Sequence, residues 1–473
     1  MAEPVAAGKA VLHIAMFPWL AFGHLIPFME LAKLLAQKGH RVSFISTPRN
    51  IQRLPNKPPQ NPTTHLITFV PLPLPRIPDL PAGAEATMDL PLHQVHLLKS
   101  AHDLLREPLA RFLESSSPDW IIYDFAPHWL PQIAADLGIS RVFFSIFSSW
   151  FAAFVGPVTS CLDGHPSRTK PEHFTVPPNW IPFPSNAAFR PYQAKQILQS
   201  TVGNASGVSD ELRIASTVMG SDVFAIRSCT ELEADWLKLL GDINGKAVIP
   251  VGLMPPSVPT DEEDAWLEIG DWLDEQVKGS VVYVALGSEA APSQEQLTEL
   301  ALGLGSSGLP FFWVLRGQRA ELPEGFEDRV RGRGIVWTRW APQLRILSHD
   351  SVGGFLTHCG WSSIIEGLQL GLPLVMLPFL WDQGINARVL EEKKVGVEVP
   401  RGEEDGSLRS DSVAESLRLV MVEEEGRIYR ERAMEWGKIF GDKDLHDRYI
   451  DEFVECLQNP RRVQEGSSSS SLS

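Results

Sequence analysis

Short apolar runs alternate with amphipathic stretches through both halves of the chain. In the first half VLHIAMF is followed by IPFMELAKLLAQKG and then RVSFIST; further on, WIIYDF leads into WLPQIAADLG and RVFFSIF. Runs apolar throughout suit strands buried on both faces, and helical periodicity fills the stretches between them. The pattern therefore predicts β-α-β units around parallel sheets. Gly39 and Gly138 stand where such helices must end before the next strand. Segment 248–264, VIPVGLMPPSVPTDEED, is rich in Pro and then in acid, and predicts a linker. The pattern then restarts, with GSVVYVALGS, PFFWVLRG, SVGGFLTHCG and PLVMLPF as strands and SQEQLTELALGLGSSG and SSIIEGLQLG as helices. The expected fold class is α/β, two doubly wound domains in series, with the ligand between the carboxyl ends of their strands. The expected division is an N-terminal domain over 1–247, the linker, and a C-terminal domain over 265–458 whose last helix is free to pack back on the first. A disordered tail over 459–473, ending in EGSSSSSLS, completes it.

Composition narrows the classes. At 473 residues, 44% hydrophobic and 21% charged, the chain is an ordinary globular protein long enough for two full cores. The formal net charge of −16 disfavours nucleic acid and anionic membranes as partners, although a local phosphate site is compatible with it. Cys161, Cys229, Cys359 and Cys456 form no CxxC pair, which argues against a zinc ribbon or a disulfide scaffold and for a reducing, cytoplasmic setting. The opening MAEPVAAGKA has no signal-peptide pattern. Apolar segment 11–22 is too short to span a bilayer, and segment 142–158, broken by Ser145, Ser148, Ser149 and Gly156, predicts a buried strand with a short segment after it. Asn204-Ala-Ser206 is a glycosylation sequon, expected to be simply a loop.

Two motifs fail on context. Gly303, Gly305 and Gly308 match GxGxxG, but they close a helix and precede a strand, the reverse of a dinucleotide fingerprint. His93 and His96 have HxxH spacing without a carboxylate or thiol cluster to complete a metal site.

The stretch from Trp340 to Gln383 carries more. A strand ends at Thr357, His358-Cys-Gly360-Trp361 turns, and a helix is expected to open at Ser362 or Ser363. Backbone N–H groups and the positive dipole end there suit a diphosphate. Gly360 permits close backbone approach, while His358 and Ser363 are hydrogen-bond donors. The competing reading is a capping box, with Glu366 reaching back to Ser363.

This stretch resembles the signature box of plant family-1 UDP-dependent glycosyltransferases, and the resemblance runs through essentially the whole chain. It implies the GT-B fold, two Rossmann-like domains facing across a cleft. It also implies roles: Trp340 stacked on uracil with Ala341 and Gln343 against the base; His358, Gly360, Trp361, Ser362 and Ser363 around the diphosphate; Glu366 on the ribose; Asp382 and Gln383 on the sugar; Ser288 as a further diphosphate contact. The family's usual Asn after the second Trp is Ser362 here, which has the shorter reach. His24, in FGH after the first strand, matches the family's base, and Asp124, at the end of WIIYDF, matches its carboxylate partner; the alternative for Asp124 is a helix cap. The implied reaction is inverting, metal-independent transfer with a UDP-sugar as co-substrate and no cofactor.

Gln383 points to UDP-glucose, with UDP-rhamnose as the rival donor. Phrases such as FPWLAFGH, STPRNIQRL and LEEKKVGVEVPR resemble the branch that extends a sugar already attached to a terpenoid, steroid or flavonoid, similar to the stevia β-1,2-glucosyltransferases. The expected partners are UDP-glucose and a small-molecule glycoside; the expected state is a monomer. Direct glucosylation of an aglycone is the alternative within the class, a UDP-sugar epimerase or a non-catalytic binder outside it. Phe22, Phe147, Trp150, Phe379 and Trp381 are either stacking surfaces for the acceptor or core.

Overall fold

The computed structural model describes residues 11–54, 64–162, 168–201, 206–258, 264–287, 289–290, 292–315 and 321–459. Ser288, the sequon's Asn204 and Ala205, the tail from 460 and part of the expected linker (259–263) lie outside the described residues.

The chain divides into two compact units. The first comprises 1–167, 200–254 and 444–473; the second comprises 168–199 and 255–443.

The first unit holds seven parallel strands: β1 (His13–Phe17), β2 (Arg41–Ser46), β3 (Ile67–Pro71), β4 (Trp120–Tyr123), β5 (Ser140–Ser145), β6 (Val223–Ile226) and β7 (Val248–Pro250). Their order is β3-β2-β1-β4-β5-β6-β7, so the winding reverses between β1 and β4. Ile14, Met16, Phe44, Ile122 and Phe144 are buried from these strands, as a sheet covered on both faces requires. The predicted glycine stops hold: Gly39 and Gly138 have φ of 90° and 69°, the left-handed region a side chain resists. Helix Lys443–Gln458 adds Ile450, Phe453, Val454 and Leu457 to the same core, and the Trp120 indole donates to Leu457 O at 3.1 Å. Strand β7 falls inside the expected linker; it pairs with β6 alone, an edge position that tolerates Pro250.

The second unit holds β8 (Val281–Ala285), β9 (Phe311–Val314), β10 (Gly334–Trp337), β11 (Val352–Thr357), β12 (Leu374–Met376) and β13 (Gly396–Glu398), ordered β10-β9-β8-β11-β12-β13. Its winding reverses between β8 and β11, repeating the plan of the first sheet. Val282, Val284, Trp313, Leu356 and Val375 form its centre. Gly308 caps helix Gln294–Ser307 with φ 78°, so the GxGxxG match is a helix end, as its context implied. Segment 168–199 belongs here through long-range polar bonds: Arg190 Nη2 to Glu398 at 2.8 Å, Asn186 N–H to Glu392 at 2.9 Å and Lys195 Nζ to Glu404 at 3.0 Å. In open α/β sheets ligands gather at the carboxyl edge where the winding reverses, and each unit has one such point.

Candidate active site

The reversal point of the first unit carries a histidine and a carboxylate. Helix Phe22–Gln37 follows β1 and places His24 in its first turn, while Asp124 directly follows β4, the strand paired to β1 in register Phe17 to Tyr123. Two residues a hundred positions apart thus end on adjacent strand tips. His24 Nδ1 and Asp124 Oδ2 are 2.8 Å apart and both residues are buried. The Trp19 N–H also donates to Oδ2 at 2.7 Å, and the Ala126 N–H to Oδ1 at 3.2 Å. A carboxylate so occupied holds Nδ1 protonated and leaves Nε2 with its lone pair. The next helix starts only at Leu130, so Asp124 is not a helix cap. Phe125 and Phe147 flank the imidazole, each with a centroid separation of 5.7 Å.

The reversal point of the second unit is the turn after β11. Cys359 takes the left-handed conformation (φ 69°) and Gly360 is the N-cap of helix Trp361–Leu368, which begins one residue before the expected start. The first bond into this helix runs from Ile364 N–H to Gly360 O at 3.1 Å, and Gly360 has no side chain with which to cap it. The amides of Trp361, Ser362 and Ser363 therefore have no acceptor within the helix and point past its N-terminus. Gly360 has an ordinary φ of −63°; it is small because a Cβ there would lie 2.6 Å from His358 Nε2. Burial pushes His358 down to about 4, so the ring is neutral at pH 7 and has one N–H to give. Its Nδ1 is buried without a hydrogen-bond partner among the described residues.

Glu366 does not form a capping box. The Gln343 side-chain N–H donates to its Oε2 at 2.6 Å, and the Tyr283 hydroxyl donates to Gln343 Oε1 at 3.3 Å. Trp340 is 54% exposed, and Ala341 beside it is buried. Asp382 and Gln383 open helix Gln383–Glu392 and are both buried. Gln383 Oε1 accepts the N–H groups of Phe379 and Leu380, each at 2.9 Å, so the oxygen is engaged and the NH2 group is the donor side of the amide.

Sequence reading missed Asn386. Its Nδ2 donates to Asp382 Oδ2 at 2.7 Å and to Cys359 O at 3.0 Å, tying the Asp382 carboxylate to the turn before the helix. Its position four residues after Asp382 on a helix was the available signal. Among the aromatic candidates, Trp150 is wholly buried, so no ring face is open to a ligand and it serves as core. Phe22, Phe147, Phe379 and Trp381 remain partly exposed. Phe22 lies under the Arg53 guanidinium at 5.3 Å and Phe379 under that of Arg401 at 4.9 Å. Among the described residues no group of three or more His, Cys, Asp or Glu is placed to hold a metal, and no helix is long and apolar enough to cross a membrane.

Twin doubly wound sheets, one with a buried His–Asp pair at its reversal point and the other with a helix that starts at a glycine N-cap at its own, define a glycosyltransferase of the GT-B fold. Comparison with known proteins gives the family. The UDP-glucoronosyl and UDP-glucosyl transferase model matches residues 262–452. The chain is 50% identical to UDP-glycosyltransferase 91C1 of Arabidopsis thaliana over 98% of its length and 99% of that protein's. It is 49% identical to UDP-glycosyltransferase 91D2 of Stevia rebaudiana, covering 98% of each. It is 35% identical to the anthocyanidin-3-O-glucoside rhamnosyltransferase of Petunia hybrida, over 94% of this chain and 95% of that one. The crystal structure of a Glycyrrhiza uralensis glycosyltransferase, complexed with glycyrrhetinic acid 3-O-monoglucuronide, superposes with a TM-score of 0.78 at 24% identity, covering 98% and 99% of the two chains. The chain belongs to the plant family-1 UDP-glycosyltransferases, enzymes that take a UDP-sugar as co-substrate and a small molecule as acceptor.

Proposed function

We propose that this enzyme transfers glucose from UDP-glucose, with inversion, to a hydroxyl of a sugar already attached to a terpenoid, steroid or flavonoid, forming a β-1,2 linkage. The observation that carries the chemistry is the buried 2.8 Å contact between His24 Nδ1 and Asp124. The acceptor oxygen gives its proton to Nε2 as it attacks the anomeric carbon. The bond from that carbon to the β-phosphate oxygen breaks, and UDP leaves with the electron pair. Asp124 stabilises the imidazolium as it forms. The negative charge growing on the phosphate meets the amides of helix Trp361–Leu368 with His358, Ser362 and Ser363, and the resemblance assigns Ser288 the same role. These donors occupy the role a cation has elsewhere, so transfer is expected to continue in EDTA. Trp340 stacks on uracil, and Gln343 orients Glu366 for the ribose. Asp382 and the Gln383 NH2 group take the sugar hydroxyls. Phe22, Phe147, Phe379 and Trp381 are assigned to the acceptor.

Sugar-on-sugar transfer is supported by similarity extending through the first unit to relatives one of which is named for a glucoside acceptor. That same relative is a rhamnosyltransferase, so UDP-rhamnose is the second reading. A monomer in the cytoplasm completes the proposal. The test of the chemistry is His24→Ala: turnover is expected to vanish while calorimetry finds UDP bound as in the unmodified enzyme. Unchanged turnover overturns the assignment.

A further inference from the structure

Behind the His–Asp pair lies a partly buried ionic clamp that the proposed reaction does not use directly. Helix Val95–Asp103 carries Lys99 and Asp103 one turn apart; helix Asp210–Met219 carries Asp210 and Arg213 one turn apart. The polarities are crossed. Lys99 Nζ reaches both carboxylate oxygens of Asp210 at 2.6 Å, and the two terminal nitrogens of Arg213 reach those of Asp103 at 2.8 and 2.5 Å. Arg213 is wholly buried. Its Nη1 also donates to Ala126 O at 2.7 Å and lies 3.2 Å from His128 Nδ1. Asp103 in turn accepts the Trp129 indole N–H at 3.2 Å. The loop after β4 is thus held at Ala126 and at Trp129 by the two members of one ion pair.

That loop carries Asp124. The peptide group on the carbonyl side of Ala126 is fixed by Arg213, while the N–H of the same residue donates to Asp124 Oδ1. Asp124 Oδ2 then meets His24. A buried ion pair contributes little net stability compared with apolar packing of the same volume, so what distinguishes this one is direction. The planar guanidinium fixes two carboxylate oxygens and one carbonyl at set angles, which an apolar side chain does not.

We propose that Arg213 is a positioning residue for the His24–Asp124 pair. Through Ala126 it sets the rotation of the Asp124 carboxylate, and through that the orientation of the His24 ring. The inference rests on the reading of His24 and Asp124 as the catalytic pair.

The test compares Arg213→Met, Arg213→Lys and the double variant Asp103→Asn/Arg213→Met, with His24→Ala alongside, in steady-state assays with UDP-glucose and a glycoside acceptor. Misplacing a reacting group by about 1 Å costs on the order of 100-fold in rate. Arg213→Met is therefore expected to lower kcat by about 10- to 100-fold while both KM values stay within about twofold. Arg213→Lys keeps the charge for Asp103 and is expected to recover part of kcat. The double variant leaves no unpaired buried charge, so its Tm should recover while its kcat stays low; it carries the test if Arg213→Met does not fold. Recovery of kcat together with Tm in the double variant would make the clamp purely structural and overturn the proposal. If His24→Ala itself keeps turnover, the catalytic reading fails and the proposal with it. A dead His24→Ala beside a fully active Arg213→Met overturns the positioning role alone.

Discussion

Replacing Gly360 with alanine isolates one steric relation at the donor end. The residue has φ −63°, which any L-residue adopts, so the backbone opposes nothing. What opposes the methyl is His358. A Cβ at 360 would stand 2.6 Å from Nε2, and a Cβ at Gly287 would also stand 2.6 Å from the same nitrogen. Both glycines thus stand close to the ring, and a methyl at 360 must displace it. Non-bonded contacts relax at about 3.5 Å, so the imidazole must shift by roughly 0.9 Å. A shift of that size breaks the hydrogen bond proposed from its single N–H to a phosphate. Bonds to charged groups contribute about 1.5–3 kcal/mol, which corresponds to about 10- to 150-fold in Kd. Isothermal titration of Gly360→Ala with UDP should find that weakening. Gly23→Ala is the control, since its Cβ would meet nothing within 4 Å. A Kd for Gly360→Ala within about twofold of the unmodified enzyme, or an equal loss in the control, refutes the reasoning.

Other outcomes derive from the same geometry. His102 is buried against Phe17, Trp19 and Trp129 with no hydrogen-bond partner on either ring nitrogen, and burial pushes it down to about 4. An unfolded histidine titrates near 6.5, so between pH 6.5 and 4 the unfolded chain binds more protons and stability falls with acidification. His102→Phe should remove about 2 kcal/mol of the loss between pH 7 and pH 5, read from urea midpoints; an unchanged difference between the two pH values refutes this. Gln343→Leu releases Glu366 and should raise KM for UDP-glucose about tenfold with little change in kcat. An unmoved KM would show that Glu366 is oriented without Gln343.

The fold was legible wherever apolar runs were long enough to stand out. VLHIAMF, WIIYDF and SVGGFLTHCG became β1, β4 and β11, and the glycines after two helices fell in the left-handed region. Strands β7, β10 and β13, of three or four residues, lay in stretches with too little apolar pattern, and Pro250 disguised β7 as linker. The membership of 168–199 in the second unit depends on pairs such as Arg190 with Glu398, which no local signal announces. At the site, residue types in His24, Asp124 and the stretch after β11 were readable because the motif is contiguous or lies at strand ends. Their partners were not. Arg213, the Gln343–Glu366 bond and the Asn386 bond to Cys359 O are set by tertiary approach, although Asn386's spacing from Asp382 is local. Trp150 shows the converse, an aromatic that reads equally as core or contact until its burial decides.

The central claim is tested most directly by offering purified enzyme, in EDTA, UDP-glucose or UDP-rhamnose with terpenoid, steroid and flavonoid glycosides and their bare aglycones, with products read by mass spectrometry. The expected result is one hexose added to glycosides from UDP-glucose and none added to aglycones. A deoxyhexose from UDP-rhamnose instead, or transfer to aglycones alone, would contradict it.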